Sequence, residues 1–137
     1  MSPQRQRHVA NKGNSLHYNG LRISGVGIDI VRIARMRERL QSESGLADEL
    51  FTPAEIAYCD SQANPAAEFA GLFAAKEALL KAVAMGLTDG FVWRDIEVIR
   101  DSIGAPTLAI TGRLSALLVG RPKLIPHLSI SFAKDAA

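Results

Sequence analysis

Residues 68–86, EFAGLFAAKEALLKAVAMG, decide the fold of this chain. At about 100° per residue the large apolar side chains of this stretch fall on one stripe of a helix, and the glycine at its end stops the helix. The opposite side carries alanines instead of charges, so this helix has no solvated face. We therefore predict one long buried helix over Glu68–Met85 that is covered on two sides or packs against another subunit. The stripe consists of Phe69, Leu72, Phe73, Leu79, Leu80 and Val83.

Three charged side chains interrupt this apolar helix. Lys76 falls near the centre of the stripe, Glu77 falls at its edge, and Lys81 follows Glu77 by one turn. Charges at an apolar border need partners, because an unpaired buried ion is costly. One interpretation is a structural Glu77–Lys81 ion pair at i, i+4 spacing. The other is a functional site.

The segment Ser24–Val31, SGVGIDIV, precedes the helix and alternates with a period of two. Such alternation predicts a strand. Val26, Ile28 and Ile30 share one face of it. Gly25, Gly27 and Asp29 share the other, so that Asp29 projects beside a glycine that leaves room for it.

The rest of the chain predicts short helices and antiparallel strands. Thr52, Pro53 and Glu55 form a helix start with a capping box, and the helix runs to about Asp60. This order of elements predicts an α+β fold, with a small antiparallel sheet packed against helices. The remaining predicted elements are a helix over Arg32–Gln41, strands over Phe91–Ile99 and Thr107–Thr111, a short helix over Arg113–Val119 and a strand over His127–Phe132.

Length and composition predict one soluble domain. The chain has 137 residues, of which 47% are hydrophobic and 22% charged. We expect a flexible N-terminal extension over residues 1–20 and a single domain over residues 21–137. No apolar run approaches a membrane helix, the N-terminus lacks a secretion signal, and the lone Cys59 suits a reducing compartment, so the expected location is the cytoplasm.

Basic residues concentrate at the N-terminal end. Residues 1–40 hold eight lysines and arginines against two acidic residues, whereas residues 41–137 hold eight against twelve. This end of the chain suits an acidic partner or a phosphate-rich ligand. For Arg5–Lys12 the alternative is a solvated tail. The overall net charge of +2 is too small to indicate a nucleic-acid partner.

Most familiar catalytic patterns are missing from the sequence. Gly25 and Gly27 lack the third glycine of a dinucleotide fingerprint, and one cysteine with three scattered histidines does not form a zinc site. What remains is a pair of acids, Asp29 and Glu77, with lysines beside the second. Two carboxylates with open positions are a ligand set that Mg²⁺ takes when phosphates complete its shell. The alternative is two ordinary surface acids.

Four segments together resemble the holo-acyl-carrier-protein synthases in order and spacing, from about Ser24 to Ser131. These small enzymes move the 4′-phosphopantetheine arm of coenzyme A onto a serine of an apo acyl carrier protein. The resemblance implies Mg²⁺ as cofactor, release of adenosine 3′,5′-bisphosphate and a trimer with coenzyme A bound between subunits. The matching segments are GVGIDIVRI at 25–33, FAAKEALLKA at 73–82, WRDIEV at 93–98 and HLSIS at 127–131.

The resemblance also implies roles for individual residues. Asp29 and Glu77 would bind Mg²⁺, and Lys81 would act with Glu77 in catalysis by contacting the leaving diphosphate oxygen. Docking of the acidic carrier protein would fall to arginines of the basic helix, with Arg35 in the family's docking position. The expected coenzyme A contacts are Lys76, Lys81, Gly86, His127 and Ser129, and the expected docking arginines are Arg32, Arg35 and Arg39, with Arg37 adding to steering.

Two positions depart from the family pattern. Leu72 and Phe132 stand where the family usually has an arginine and a histidine, and the chain stops before the family's final apolar strand. If both lost side chains contacted phosphate, restoring them would tighten coenzyme A binding. These departures leave open a non-catalytic homologue that binds a carrier protein or coenzyme A, and also a purely structural subunit.

Overall fold

The computed structural model describes residues 17–18 and 21–137, and the described chain combines helices with two short two-stranded sheets. The predicted N-terminal extension lies outside the described residues, except for two residues that form a strand. That strand, β1, pairs antiparallel with β2. The elements in chain order are β1 (His17–Tyr18), β2 (Leu21–Arg22), α1 (Ile33–Ser42), α2 (Leu46–Leu50), α3 (Pro53–Asp60), α4 (Pro65–Val83), β3 (Ile96–Arg100), β4 (Pro106–Ile110) and α5 (Gly112–Leu117).

Helix α3 begins with the predicted capping box. The Thr52 hydroxyl accepts a hydrogen bond from the Glu55 backbone N–H at 3.2 Å, and the Glu55 carboxylate accepts one from the Thr52 N–H at 2.9 Å. Pro53 occupies the first turn, where its missing N–H costs nothing. This local prediction is confirmed, because all its determinants lie within four residues.

Helix α4 runs through the middle of the molecule and contacts α1, α3 and β3. It starts three residues earlier than predicted, because the Asn64 side chain caps the Ala67 N–H and Pro65 occupies the first turn. It ends at Val83, since Ala84 adopts the left-handed conformation with φ of 54°. Eleven of its 19 residues are buried.

The second sheet consists of β3 and β4, paired antiparallel with Ile96 opposite Ile110 and Arg100 opposite Pro106. The predicted strand over Phe91–Ile99 starts later, because residues 93–95 form a 3₁₀ turn. In that turn the Asp95 carboxylate accepts hydrogen bonds from the Val92 and Leu114 backbone N–H groups. With the helices, this sheet gives the α+β architecture that the sequence predicted.

Two predicted strands, Ser24–Val31 and His127–Phe132, are not strands among the described residues. A strand needs a partner for its backbone groups, and β3 and β4 pair only with each other in the described chain. The first segment lies on α4 instead, and only its end pairs with backbone: Val31 exchanges two hydrogen bonds with Ala137, at 2.7 and 3.0 Å. Periodicity identified which side chains share a face but could not supply the partner.

Glycines allow the segment 24–31 to approach α4 closely. A Cβ atom at Gly27 would overlap the carbonyl oxygen of Ala78, and one at Gly25 would overlap that of Ala82. The glycine and aspartate face therefore packs on the helix, and the aliphatic face points outward. Exposure reaches 82% at Val26, 77% at Ile28 and 73% at Ile30.

Among the described residues, no helix combines the length and the apolar character needed to cross a membrane.

Candidate active site

Lys81 of α4 joins the glycine-rich segment to the helix. Its Nζ donates hydrogen bonds to Asp29 Oδ1 at 2.7 Å and to the Ile28 carbonyl at 3.0 Å. The pair spans 52 residues of sequence, and it forms because Gly27 brings the backbone onto the helix. The i, i+4 spacing suggested a structural ion pair between Glu77 and Lys81, but in the structure Lys81 forms its ion pair with Asp29.

Glu77 is a half-buried carboxylate one turn before Lys81. Burial raises the pKa of Glu77, and the negative charge of Asp29 raises it further, while Lys81 opposes both effects. Glu77 and Lys81 are four residues apart on α4 and so share one face of the helix, and Lys81 holds Asp29 against that helix at 2.7 Å. The structure therefore brings together the three residues that the sequence singled out.

The donors of this cluster suit a magnesium ion. Carboxylate oxygens are hard ligands, and Mg²⁺ commonly takes one or two of them and completes its shell with water and substrate phosphates. No group of three or more histidine, cysteine, aspartate or glutamate side chains able to hold a metal occurs in the described part of the chain. Asp29 and Glu77 thus fit a metal that a phosphate ligand shares, rather than a metal enclosed by protein.

Lys76 does not belong to this cluster, which corrects its assignment as a coenzyme A contact. Its side chain is fully buried, and its Nζ donates to Glu55 Oε2 and to the Leu50 carbonyl, both at 2.7 Å. Burial lowers the pKa of Lys76, although the hydrogen bond to Glu55 opposes this. An ammonium group held in this way points into the core. The neighbouring residue Glu77 lies about 100° further around the helix.

The other predicted coenzyme A contacts lie outside the Asp29–Lys81 pair. Gly86 follows α4, and its N–H donates to the Asp89 carboxylate at 2.9 Å. His127 and Ser129 are exposed. Their roles remain predictions.

Helix α1 presents the predicted arginine face. Arg32, Arg35 and Arg37 are exposed and form no ion pair with any residue in the described ranges. Arg39 donates to Glu43 at 2.7 Å, and this hydrogen bond raises the pKa of Arg39. Its charge is therefore partly offset, so the unpaired positive charge of the helix lies toward its N-terminal half.

Leu72 and Phe132, the two departures from the family pattern, differ in burial, since Leu72 is a core residue and Phe132 is 47% exposed. Leu72 is buried beside Tyr58 and Val98. An arginine there would place its stem in the core, so restoring it is not expected to strengthen phosphate binding. The Phe132 ring lies over Gly71, where a Cβ would come within 3.0 Å of the ring.

Sequence reasoning missed the second role of Glu55. The capping box identified this residue, but its carboxylate also binds Lys76, which is 21 residues away. One signal was available. A lysine in the centre of an apolar stripe requires a buried acid, and Glu55 begins the helix just before it.

A glycine-rich segment carrying an aspartate packs here on a helix carrying glutamate and lysine, and similarity to known proteins identifies the class of this chain. The sequence profile of the 4′-phosphopantetheinyl transferase superfamily matches residues 25–123. The holo-[acyl-carrier-protein] synthase of Cytophaga hutchinsonii is 40% identical over 111 residues, which cover 81% of this chain and 87% of that protein. The chain belongs to the holo-[acyl-carrier-protein] synthase family.

Solved structures share the fold. The crystal structure of the Neisseria meningitidis holo-[acyl-carrier-protein] synthase superposes with a TM-score of 0.73 at 31% identity, covering 83% of this chain and 92% of that one. The ACPS–CoA complex of Chronobacterium ammoniagenes gives a TM-score of 0.73 at 28% identity, covering 82% of this chain and 90% of that one. The similarity therefore extends over nearly the whole length of these proteins.

Proposed function

We propose that this protein transfers the 4′-phosphopantetheine group of coenzyme A to a serine of an apo acyl carrier protein, depends on Mg²⁺ and releases adenosine 3′,5′-bisphosphate. The observation that carries the proposal is the meeting of Asp29, Glu77 and Lys81. Lys81 Nζ lies 2.7 Å from Asp29 Oδ1, and Glu77 lies one turn before Lys81 on the same face of α4. Family membership supplies the reaction class, and this cluster supplies groups suited to it.

The transfer reaction acts on the negatively charged diphosphate of coenzyme A, and Asp29, Glu77 and Lys81 provide the means to offset that charge. Asp29 and Glu77 would hold Mg²⁺, which when bound neutralises diphosphate charge. The Lys81 ammonium, more than half exposed beside them, is suited to contact the bridging oxygen that leaves with the adenosine bisphosphate. The carrier serine oxygen forms a bond to the phosphorus that bears pantetheine, the bond from that phosphorus to the bridging oxygen breaks, and the serine hydroxyl proton is released to solvent water. Catalysis then rests on positioning and charge.

Coenzyme A binding and assembly belong to the same proposal. The Chronobacterium ammoniagenes protein, which shares this fold, has been solved as a complex with CoA. We place coenzyme A across Lys81, Gly86, His127 and Ser129, between subunits of a homotrimer. The exposed aliphatic face of Val26, Ile28 and Ile30 supports assembly, because contiguous apolar surface on a small protein marks an interaction site.

The carrier protein is proposed to dock on α1. Acyl carrier proteins are acidic, and Arg32 and Arg35 are exposed and unpaired within the described chain, with Arg37 beside them and Arg39 partly offset by Glu43. Complementary charge raises the association rate, and salt screens it. The apparent KM for the carrier should therefore rise with ionic strength.

Intact-mass spectrometry of the carrier tests the proposal directly. An apo acyl carrier protein is incubated with this protein, coenzyme A and Mg²⁺, and a carrier whose acceptor serine is alanine serves as the control. The expected result is a mass increase of one phosphopantetheine, lost with EDTA and absent from the control carrier. No increase with any of several carriers would overturn the transferase and favour a homologue that only binds carrier or coenzyme A.

A further inference from the structure

A fully buried ion pair connects α4 to four other segments. The Lys76 ammonium has three hydrogens and three carbonyl or carboxylate acceptors: Glu55 and Leu50 at 2.7 Å, and the Trp93 carbonyl at 3.5 Å. Each acceptor comes from a different part of the chain, namely the start of α3, the end of α2 and the 3₁₀ turn at 93–95. The ammonium is thus held from several directions.

The Glu55 carboxylate completes the connection. Its Oε1 accepts from the Val98 N–H of β3 at 2.8 Å, and its Oε2 accepts from the Thr52 N–H at 2.9 Å as well as from Lys76. Both side chains of the pair are at most 1% exposed. Buried polar networks in which every member is satisfied rigidify a core and select one arrangement.

Besides this network, the directional contacts of α4 within the described chain lie toward its two ends: Glu68 pairs with Arg100, Lys81 pairs with Asp29, and the Val83 carbonyl accepts from Arg121. The buried pair is the directional contact of the middle of α4, and alanine forms much of the helix surface beside its apolar stripe. Methyl groups resist rotation about the helix axis only weakly.

Rotation of α4 matters, because side-chain ends lie about 5–6 Å from the axis, so a turn of about 20° moves them by about 2 Å. Glu77 is the residue after Lys76, so the network fixes the residue next to the proposed metal ligand. The flanking alanines are Ala66, Ala70, Ala74, Ala75, Ala78 and Ala82.

We propose that Lys76 and Glu55 are positioning residues for the transfer reaction: their buried pair fixes the rotation of α4 and thereby the placement of Glu77 against Asp29. The inference rests on the proposed function, because it takes Glu77 and Asp29 as the metal site. Neither positioning residue contacts substrate. Stability alone does not account for them, since a buried ion pair is often no more stabilising than apolar residues of similar volume.

The test replaces the pair without leaving a buried charge. In the double variant Glu55→Gln with Lys76→Met, folding is checked by circular dichroism and thermal unfolding, and Mn²⁺ affinity is measured by electron paramagnetic resonance without substrates. We expect Mn²⁺ affinity and kcat each to fall by about 10-fold or more, because small misplacements of catalytic groups are costly. KM for the carrier should stay within about threefold, since the docking arginines lie on α1.

A matched control separates positioning from general destabilisation. Leu114→Ala removes a buried side chain of α5, a helix that supplies none of the hydrogen bonds of the pair. It should lower the unfolding temperature and leave Mn²⁺ affinity and kcat unchanged below that temperature. A folded double variant with wild-type Mn²⁺ affinity and kcat would overturn the inference.

Two further outcomes are distinguishable. If the double variant does not fold, Glu55→Asp, which keeps both charges but shortens the acid, should weaken Mn²⁺ binding in a folded protein, and unchanged binding would again overturn the inference. If the wild-type protein binds Mn²⁺ but transfers nothing to any carrier, the proposed function fails, while the comparison of Mn²⁺ affinities still decides the role of the pair.

Discussion

At the scale of single residues, two lysines of one helix have opposite environments. Lys76 is fully buried and satisfied by Glu55, whereas Lys81 is exposed and paired with Asp29. They are five residues apart, which places them about 140° apart around α4. Their surroundings, and not their residue type, therefore separate a structural ammonium from one available to a phosphate.

Removing one carboxylate charge tests the metal site. We expect Asp29→Asn and Glu77→Gln each to lower the transfer rate by about 100-fold or more, because each removes a charged ligand while keeping the side-chain shape. The unfolding temperature should change little. Asp60→Asn, at an exposed position on α3, is the matched control and should keep full activity in the carrier mass assay. A rate near that of the wild type in either site variant would contradict the assignment.

Cys59 offers a second residue-level test. Burial raises the pKa of its thiol to about 12, so at pH 8 only about one molecule in 10,000 carries the reactive thiolate. We expect Ellman's reagent to label native Cys59 at least about 100-fold more slowly than the urea-unfolded chain. Because this pKa is higher in the folded state, the folded state retains the proton longer, and the thiol makes stability fall as pH rises above about 9.

The control for this experiment is an exposed thiol. Ser102→Cys in a Cys59→Ala background places a cysteine in the turn between β3 and β4, where it should react at the same rate folded and unfolded. Equal labelling of native and unfolded Cys59 would mean that the core around it opens readily.

At the scale of elements, local patterns were predictable and long-range partners were not. The start of α3 could be read from Thr52 to Glu55, since its hydrogen bonds stay within four residues. Alternation in Ser24–Val31 correctly grouped Asp29 with the glycines, but strand formation depends on a partner that no local pattern specifies. The same limit applies to Lys81, whose Asp29 partner lies 52 residues away.

The contact of the glycine-rich segment with α4 can be tested by adding one methyl group. In Gly27→Ala the new Cβ would overlap the Ala78 carbonyl oxygen, so the segment must move away from the helix. We expect a loss of about 1–3 kcal/mol in the free energy of unfolding, measured in urea, together with weaker Mn²⁺ binding because Asp29 moves with the segment.

Gly86→Ala is the control for stability in that experiment. Gly86 has φ of −137°, and the nearest atom to an added Cβ is Thr88 Oγ1 at 4.0 Å. Its free energy of unfolding should change by no more than about 0.5 kcal/mol. If Gly27→Ala is as stable as Gly86→Ala and binds Mn²⁺ normally, the close packing does not set the site.

At the scale of the whole molecule, two exposed surfaces of the described chain differ in chemistry. The segment 24–31 presents aliphatic side chains, whereas α1 presents arginines. Apolar surface stabilises permanent association, and charged surface steers transient encounters. This division matches the proposed partners, since a trimer would stay together while a carrier protein binds and leaves.

The proposed trimer makes the aliphatic face the subject of the last prediction. Light scattering at micromolar concentration should give about three times the chain mass of 14.8 kDa. Val26→Glu places a charge where 82% of the residue is exposed in the single chain, so it should leave the protomer folded but shift the mass toward one chain. Ile103→Glu, at an 88% exposed position in the β3–β4 turn, is the control and should leave the mass unchanged.

Coenzyme A binding should weaken in a variant whose trimer dissociates, because the proposed site lies between subunits. Calorimetry should therefore show weaker coenzyme A binding for Val26→Glu and unchanged binding for Ile103→Glu. A wild-type protein with the mass of one chain would contradict the trimer. A dissociated Val26→Glu variant that binds coenzyme A normally would instead place the whole ligand site on one chain, in which case the aliphatic face serves assembly alone.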